Sequence, residues 1–437
     1  MNVSQPIRAP YPELLAPAGS LAMLDTAFAF GADAVYAGQP RYSLRVRNNE
    51  FGKLALLAQG IQAAHERGKP LYVVSNLFPR NAKLATYLRD MTEVVALKPD
   101  ALIMADPGLI DMARTAWPEM SIHLSVQANS VNWATVRFWQ KLGVKRVILS
   151  RELSLEEISE IRQRCPDIEL EVFVHGALCV AYSGRCLLSG YFNHRDANQG
   201  ACANACRWAY RLSAAEEDAE GAARKSGLLE ETQRPGERMP IEEDAHGTYI
   251  LNSRDLRAIE HVAKLVEIGV DALKIEGRTK SAYYVARACR NYRAALDDAL
   301  AGRPFNPALF ADLERLAHRG YTDGFYRRHA PADYQHYLAG HSASEQAQYV
   351  GDVIAFDAVR NLAEVRVRNR FQCGEQLETL HPAGSGVFTL RHMENAEGQS
   401  IQDAPGNGHY VWIPLPEKSV GAFLAVIRHP QSEAGAA

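Results

Sequence analysis

Short apolar runs recur along the first two thirds of the chain, and four of them share one pattern: FGADAVYAG (30–38), LKPDALIMADPG (97–108), LGVKRVILSREL (142–153) and IGVDALKIEGR (268–278). Each opens on Gly or Pro, continues as an apolar run and leaves through polar or glycine-rich residues. Glycine suits the left-handed cap that ends a helix. An apolar run without alternation suits a strand buried on both faces. Further strand patterns are ELLAPAG (13–19), PLYVVSNLF (70–78), SIHLSVQAN (121–129) and IELEVFVHGA (168–177), and amphipathic stretches such as SLAMLDTAFAF and NWATVRFWQKL lie between strands. The pattern therefore predicts eight strands beginning near residues 13, 34, 70, 101, 121, 146, 168 and 272, mostly alternating with helices. That is the signature of a (β/α)8 barrel. A doubly wound sheet would alternate similarly, but no G-x-G-x-x-G follows the first strand, which argues against its dinucleotide-binding form.

The alternation breaks before the last strand. Residues 179–212 are rich in Cys, Gly, Asn and Arg, 213–246 read as a polar, acidic, exposed insertion, and TYILNSRDL (248–256) restores order. The stretch 280–340 reads as a helical link. Beyond it, YVGDVIAF, AEVRVRNRF, GEQLETL, GVFTLRHM, HYVWIPL and AFLAVIR alternate over short lengths between Gly, Pro and Asn. This predicts a small all-β domain of barrel type. The expected division is 1–340 for the (β/α)8 barrel with its insertion and 341–437 for the β domain.

Composition narrows the class. A chain of 437 residues, 47% hydrophobic, buries a large core. No apolar run reaches the roughly 20 residues that span a bilayer, and the first residues lack the basic and apolar blocks of a secretory signal. The expectation is a cytoplasmic protein with no membrane partner, in which clustered cysteines serve metal or redox chemistry rather than disulfides. With 48 basic and 51 acidic side chains, nucleic-acid binding would require a local basic patch.

Four of the seven cysteines, Cys179, Cys186, Cys202 and Cys206, are spaced C-x6-C-x15-C-x3-C directly after the seventh strand. Structural zinc uses C-x2–4-C pairs, which the second spacing fits and the first does not. Iron–sulfur clusters take four thiolates at more varied spacing, and buried core thiols are the third reading. Spacing alone ranks the cluster first and leaves zinc and core thiols open. Cys165, Cys289 and Cys373 lie on helix or strand patterns and read as packing residues.

A barrel places its site where the strands end, so the polar residues there are candidates: Asn76, Asp106, Gln127, Asn129, Arg151, Glu152, His175, Lys274, Glu276 and Arg278. Any one of them alone is as well explained by helix capping as by catalysis. Glu152, His175 and Glu276 are the candidates for proton transfer. The loop GQPRYSLRVRNNEF (38–51) brings Arg41, Arg45 and Arg47 together, and with Arg151 and Arg278 they predict an anion-binding mouth. In AEVRVRNRF, Arg366, Arg368 and Arg370 alternate, a stripe suited to a phosphate backbone. Arg327, Arg328 and His329 add positive charge nearby in sequence.

The segment E-x-F-x-x-G-A-L-C-x6-C-L-L-S at 171–189 resembles the signature of the peptidase U32, or collagenase-like peptidase, family. The likeness runs along the chain through ELLAPAG, GADAVYAGQPRYSLRVRNNEF, NAKL, DALIMADPGLI, HLSVQANSVNWATV, RVILSRELSLEEI, LKIEGRTKS and the C-terminal β domain. It implies a barrel holding a 4Fe–4S cluster on Cys179, Cys186, Cys202 and Cys206. It also implies O2-independent hydroxylation of a tRNA wobble uridine to 5-hydroxyuridine, with prephenate supplying the oxygen. Sister branches hydroxylate a ribosomal RNA cytidine or ubiquinone intermediates. Some relatives take a ligand near a downstream D-L-C motif, where this chain reads Asp255-Leu256-Arg257, which supports Cys206 as the fourth. The name also carries a hydrolase reading, but the sequence has neither H-E-x-x-H nor G-x-S-x-G. A non-catalytic tRNA-binding protein with structural zinc is the remaining alternative.

Overall fold

The computed structural model describes residues 11–39, 41–44, 49–178, 181–182, 185–186, 189, 254–327 and 346–428, with the backbone of four strands between 210 and 248. The chain divides into two compact units. One holds the barrel with 292–305 and 318–342; the other holds 281–291, 306–317 and 343–437.

In the first unit, β1 (Glu13–Ala18), β2 (Ala34–Gly38), β3 (Leu71–Ser75), β4 (Ala101–Met104), β5 (Ile122–Leu124), β6 (Arg146–Ile148) and β7 (Glu169–Ala177) pair in sequence order. A later parallel strand, Ala272–Ile275, pairs with both β7 and β1 and closes the (β/α)8 barrel. Burial on both faces explains the unbroken apolar runs. The helices α1 (Leu21–Ala29), α2 (Leu54–His65), α3 (Asn81–Ala96), α4 (Pro107–Ala116), α5 (Trp133–Lys141) and α6 (Leu155–Arg164) fill the connections. Several polar strand-end residues begin these helices. Asp106 caps α4, accepting from the Leu109 amide at 2.9 Å, and Ser154 with Glu157 forms a capping box on α6.

Two elements go beyond the sequence pattern. Asp255–Arg257, hereafter the strap strand, pairs antiparallel with the top of β7, Arg257 against His175 and Asp255 against Ala177. The insertion read as merely exposed carries a four-stranded antiparallel sheet, with strands Tyr210–Ala214, Ser226–Glu231, Arg238–Asp244 and Gly247–Thr248.

Charged side chains from non-adjacent strands meet in the barrel lumen. Arg146 of β6 donates to Glu13 of β1 at 2.8 Å, to Glu169 at 2.8 Å and to Glu171 of β7 at 3.2 Å. Lys274 donates to the other Glu171 oxygen at 2.8 Å, and Tyr72 donates to Glu13 at 2.7 Å. The Lys274 ammonium lies 4.3 Å from the Tyr36 ring centroid. Glu171 is fully buried, so its charge depends on these partners. Burial raises the Glu13 carboxyl pKa and lowers that of the Lys274 ammonium, with the ion pairs opposing both shifts.

The second unit is an antiparallel β domain. Its six-stranded sheet contains Ala347–Asp357, Leu362–Val367, Gln376–His381, Gly384–Thr389, Tyr410–Ile413 and Phe423–Ile427, each on a predicted alternating run. Val350, Val365, Leu377, Met393 and Leu424 form part of its core. Tyr283 stacks on Tyr349 at 4.9 Å, and the buried Arg287 pairs with Asp312 and Glu378.

Replacing Lys274 tests the lumen network. Lys274→Met is expected to lower the barrel's unfolding free energy by about 3 kcal/mol, because Glu171 loses one of its two cations in a buried site. Adding Glu171→Gln should recover more than half of that loss in urea denaturation. A single variant as stable as the parent would show that the pair contributes nothing.

Candidate functional site

The strand ends form a cationic mouth. Arg151, after β6, pairs with Glu276, after the closing strand, both side chains being nearly buried. The Arg151 guanidinium lies 3.8 Å from the Phe173 ring centroid, and Lys274 is 5.4 Å from the same ring. One aromatic side chain therefore contacts both the lumen cation and the mouth cation. Arg278 donates to the Leu44 carbonyl at 2.7 Å. It passes close to the end of β2, where a Cβ at Gly38 would lie 2.3 Å from Arg278 Nη1 and would push the guanidinium aside.

Polar residues tie the loops together. Gln39 accepts from the Arg41 and Tyr42 amides at 2.9 Å each. Asn76 accepts from the Leu44 amide at 3.1 Å and donates to Ser125 at 3.1 Å. Ser150 donates to Asn129 at 2.8 Å and also bonds Glu152. Among the described residues, the buried Ser43 and Ser130 hydroxyls have no hydrogen-bond partner.

The sequence candidates separate into groups. Arg151, Glu276 and Arg278 belong to the mouth, whereas Arg41 is half exposed and pairs with Asp90 of α3 at 2.6 Å. Arg45, Arg47, Arg328 and His329 lie outside the described residues. Cys179, Cys202 and Cys206 also lie outside them, while Cys186 is half-buried. The other cysteines have packing positions: Cys165 bonds the Trp133 carbonyl at 3.4 Å, Cys289 is buried, and Cys373 bonds the Ile401 carbonyl at 3.7 Å.

His175 faces away from the mouth. Glu169, Glu171 and Phe173 alternate toward the lumen, and continued alternation would send His175 there too. A bulge intervenes, because Lys274 pairs with Phe173 while Ile275 pairs with His175. The His175 ring consequently packs with Tyr292 and Tyr321, at 5.4 and 5.6 Å. Burial, then Arg257, Lys280 and His318, push its pKa down to about 3. The next residue, Gly176, has φ +112° and passes so close to the Glu276 carbonyl that a Cβ would lie 2.6 Å from it.

The arginine stripe of the β domain is paired. Its strand ends at Val367, Arg366 and Arg368 both bind Asp352 at 2.8 Å, and Arg370 binds Asp403 at 2.9 Å. Around the strap strand, sequence reading noted Arg257 as the position without a thiol and Arg327 as added positive charge, but missed Arg254 and Tyr321 and the way they gather. Charged residues beside Asp255-Leu256 were the available signal.

A barrel with a cationic mouth and a cysteine-rich segment after β7, joined to this β domain, defines the class: the chain belongs to peptidase family U32, whose family model matches residues 19–336 and whose C-terminal domain model matches 345–425. Among relatives, it is 57% identical to tRNA hydroxylation protein P of Escherichia coli (strain K12), over 97% of this chain and 98% of that protein. It is 53% identical to the Haemophilus influenzae protein of the same name, over 93% of this chain and 94% of that one. The Escherichia coli 23S rRNA 5-hydroxycytidine C2501 synthase is 31% identical over 79% of this chain and 47% of its own length. Among the described residues, no helix is long and apolar enough to cross a membrane.

The buried histidine generates a pH prediction. Its folded pKa of about 3 lies below the ordinary histidine value of 6.5, so between those pH values the unfolded chain binds more protons. Its stability contribution is complete above about pH 6.5 and is lost as pH falls toward 3. Buried His123, also pushed well down, acts with the same sign. His175→Gln should reduce the slope of unfolding free energy between about pH 6 and 5 by about 1 kcal/mol per pH unit. Equal slopes would mean that His175 is not held neutral.

Proposed function

We propose that this chain is an iron–sulfur-dependent tRNA hydroxylase that forms 5-hydroxyuridine at the wobble uridine without O2, with prephenate as the oxygen source. The observation carrying this reading is 57% identity over 97% of the chain to a protein named for tRNA hydroxylation. The site chemistry supports it. With Cys165, Cys289 and Cys373 used in packing, Cys179, Cys186, Cys202 and Cys206 remain as a donor set suited to a 4Fe–4S cluster. The strap strand carries Arg257 where some relatives have a thiol, which supports Cys206 as the fourth ligand that the family resemblance implies. When bound, such a cluster supplies one-electron transfer and a polarising iron.

The remaining roles fall to the chain's own side chains. Arg151, oriented by Glu276, and Arg278, oriented by the Leu44 carbonyl, present guanidinium donors to the carboxylates of prephenate or to RNA phosphates. Arg41, Arg45 and Arg47 add charge from the loop after β2. His175 is enclosed and Glu276 is engaged by Arg151, so Glu152, half-buried and bonded to Ser150, is assigned the proton transfer. The cytoplasm is the expected location, and the β domain is assigned to holding tRNA.

Nucleoside mass spectrometry tests the activity. In a strain lacking O2-dependent routes, deleting the gene should abolish 5-hydroxyuridine derivatives, and the intact gene should restore them where Cys179→Ala does not. Unchanged derivatives in the deletion would overturn the function. Anaerobically purified protein should absorb near about 400 nm and lose that band in the same variant; colourless protein with stoichiometric zinc would overturn the cluster.

Changing Arg366, Arg368 and Arg370 together to Ala should weaken tRNA binding and reduce the salt slope by about one to two, because two aspartates already offset part of their charge. Unchanged affinity and slope would remove the β domain from recognition.

A further inference from the structure

A cavity of about 260 Å³ opens beside the strap strand, lined by Arg254, Arg257, Glu260, Tyr321, Thr322, Asp323 and Arg327. We propose that it is an oxyanion-binding site, taking the carboxylate or phosphate group of a small ligand or of an RNA backbone.

The argument begins with charge. Three guanidinium groups and two carboxylates line this open cavity, an excess of one positive charge. Arg327 is already engaged, bound to Glu260 and to Asp323, the latter at 3.3 Å. Arg257 lies over the Tyr321 ring with its guanidinium 4.7 Å from the centroid. Arg254 is different. It has no hydrogen bond or ion pair among the described residues, and its Nε is enclosed without a partner. A planar donor fork lining a concave site, with no acceptor bonded to it among the described residues, suits bidentate contact with a carboxylate or phosphate. Thr322 is buried and its Oγ1 accepts from the Gly324 amide at 3.2 Å, which leaves its O–H available to donate.

A cation is the poorer occupant. Glu260, His261 and Asp323 bring ligand atoms within 4.8 Å of one another. Those atoms are taken, however: Arg327 binds both carboxylates and His261 bonds Asp323 at 3.0 Å. The acidic groups therefore hold Arg327 in the wall and leave Arg254 to the ligand.

The position gives the site a relation to the cysteine segment. Asp255 pairs with Ala177, so the chain at Arg254 runs on beyond the last paired residue of β7, the side on which Leu178 and Cys179 follow.

Titration calorimetry and melting on the full chain test the proposal, with malonate as the small dicarboxylate and single-stranded oligouridylate as the phosphate source. Without anion, Arg254→Gln should melt within about 2 °C of the parent, since the side chain makes no bond to lose. Malonate should raise the parent's melting temperature, and Arg254→Gln should weaken its binding by about tenfold or more, with Arg254→Lys between. If oligouridylate displaces malonate from the parent and loses affinity in Arg254→Gln, the natural oxyanion is an RNA phosphate. If it does not displace malonate, the oxyanion is a free carboxylate or phosphate. Absence of saturable binding of both probes by the parent, or equal binding by Arg254→Gln, would overturn the site.

Discussion

The ion-pair network inside the barrel constrains everything above it. Arg146 joins carboxylates from two other strands, and Lys274 joins β7 to the closing strand. Buried charges tolerate few arrangements, because a displaced partner leaves an uncompensated ion in a medium that solvates it poorly. A one-residue slip in β1 or β6 would turn Glu13 or Arg146 to the outer face. Apolar packing alone would be less discriminating, since one Leu or Val substitutes readily for another. The network thus specifies the relative heights of β1, β6, β7 and the closing strand, and with them the height of each strand end.

From that base the mouth is assembled in layers. Phe173 receives Lys274 at 5.4 Å and Arg151 at 3.8 Å. Cations of like sign share one aromatic ring, and each has a carboxylate beside it: Glu171 for Lys274 and Glu276 for Arg151. Arg151 is therefore held in place by Glu276 and Phe173 without any ligand, and a group fixed in advance needs little reorganisation to bind one.

Much of this fold was legible because a strand buried on both faces writes an unbroken apolar run, and helix-ending glycines mark where it starts. Residues 13, 34, 101, 146 and 272 begin strands as the pattern indicates. The strap strand escaped notice since three residues in a charged context carry no periodicity. The bulge that turns His175 outward depends on how β7 meets a strand about a hundred residues later, which no local pattern encodes. Spacing grouped the arginines of AEVRVRNRF on one face; Arg366 and Arg368 share Asp352, whereas Arg370 lies beyond the strand and pairs with Asp403, a property of register and turns. Arg254 and Arg327 converge from distant positions, so that cavity exists only in the folded chain.

β7 spans nine residues, Glu169–Ala177, where its neighbours in the barrel span three to six. Its lower part is wall, paired with the closing strand up to His175, and its upper part forms a ribbon with the strap strand. Both boundaries of the long segment between them, 178–254, are consequently fixed by ladder hydrogen bonds rather than by the segment itself. Closing a longer loop between two anchored ends adds little entropy cost. The barrel can therefore accept a whole accessory sheet in this segment, while the chain still leaves and re-enters the barrel at the same two points. The fold separates the length of this insertion from the stability of the wall it leaves and rejoins.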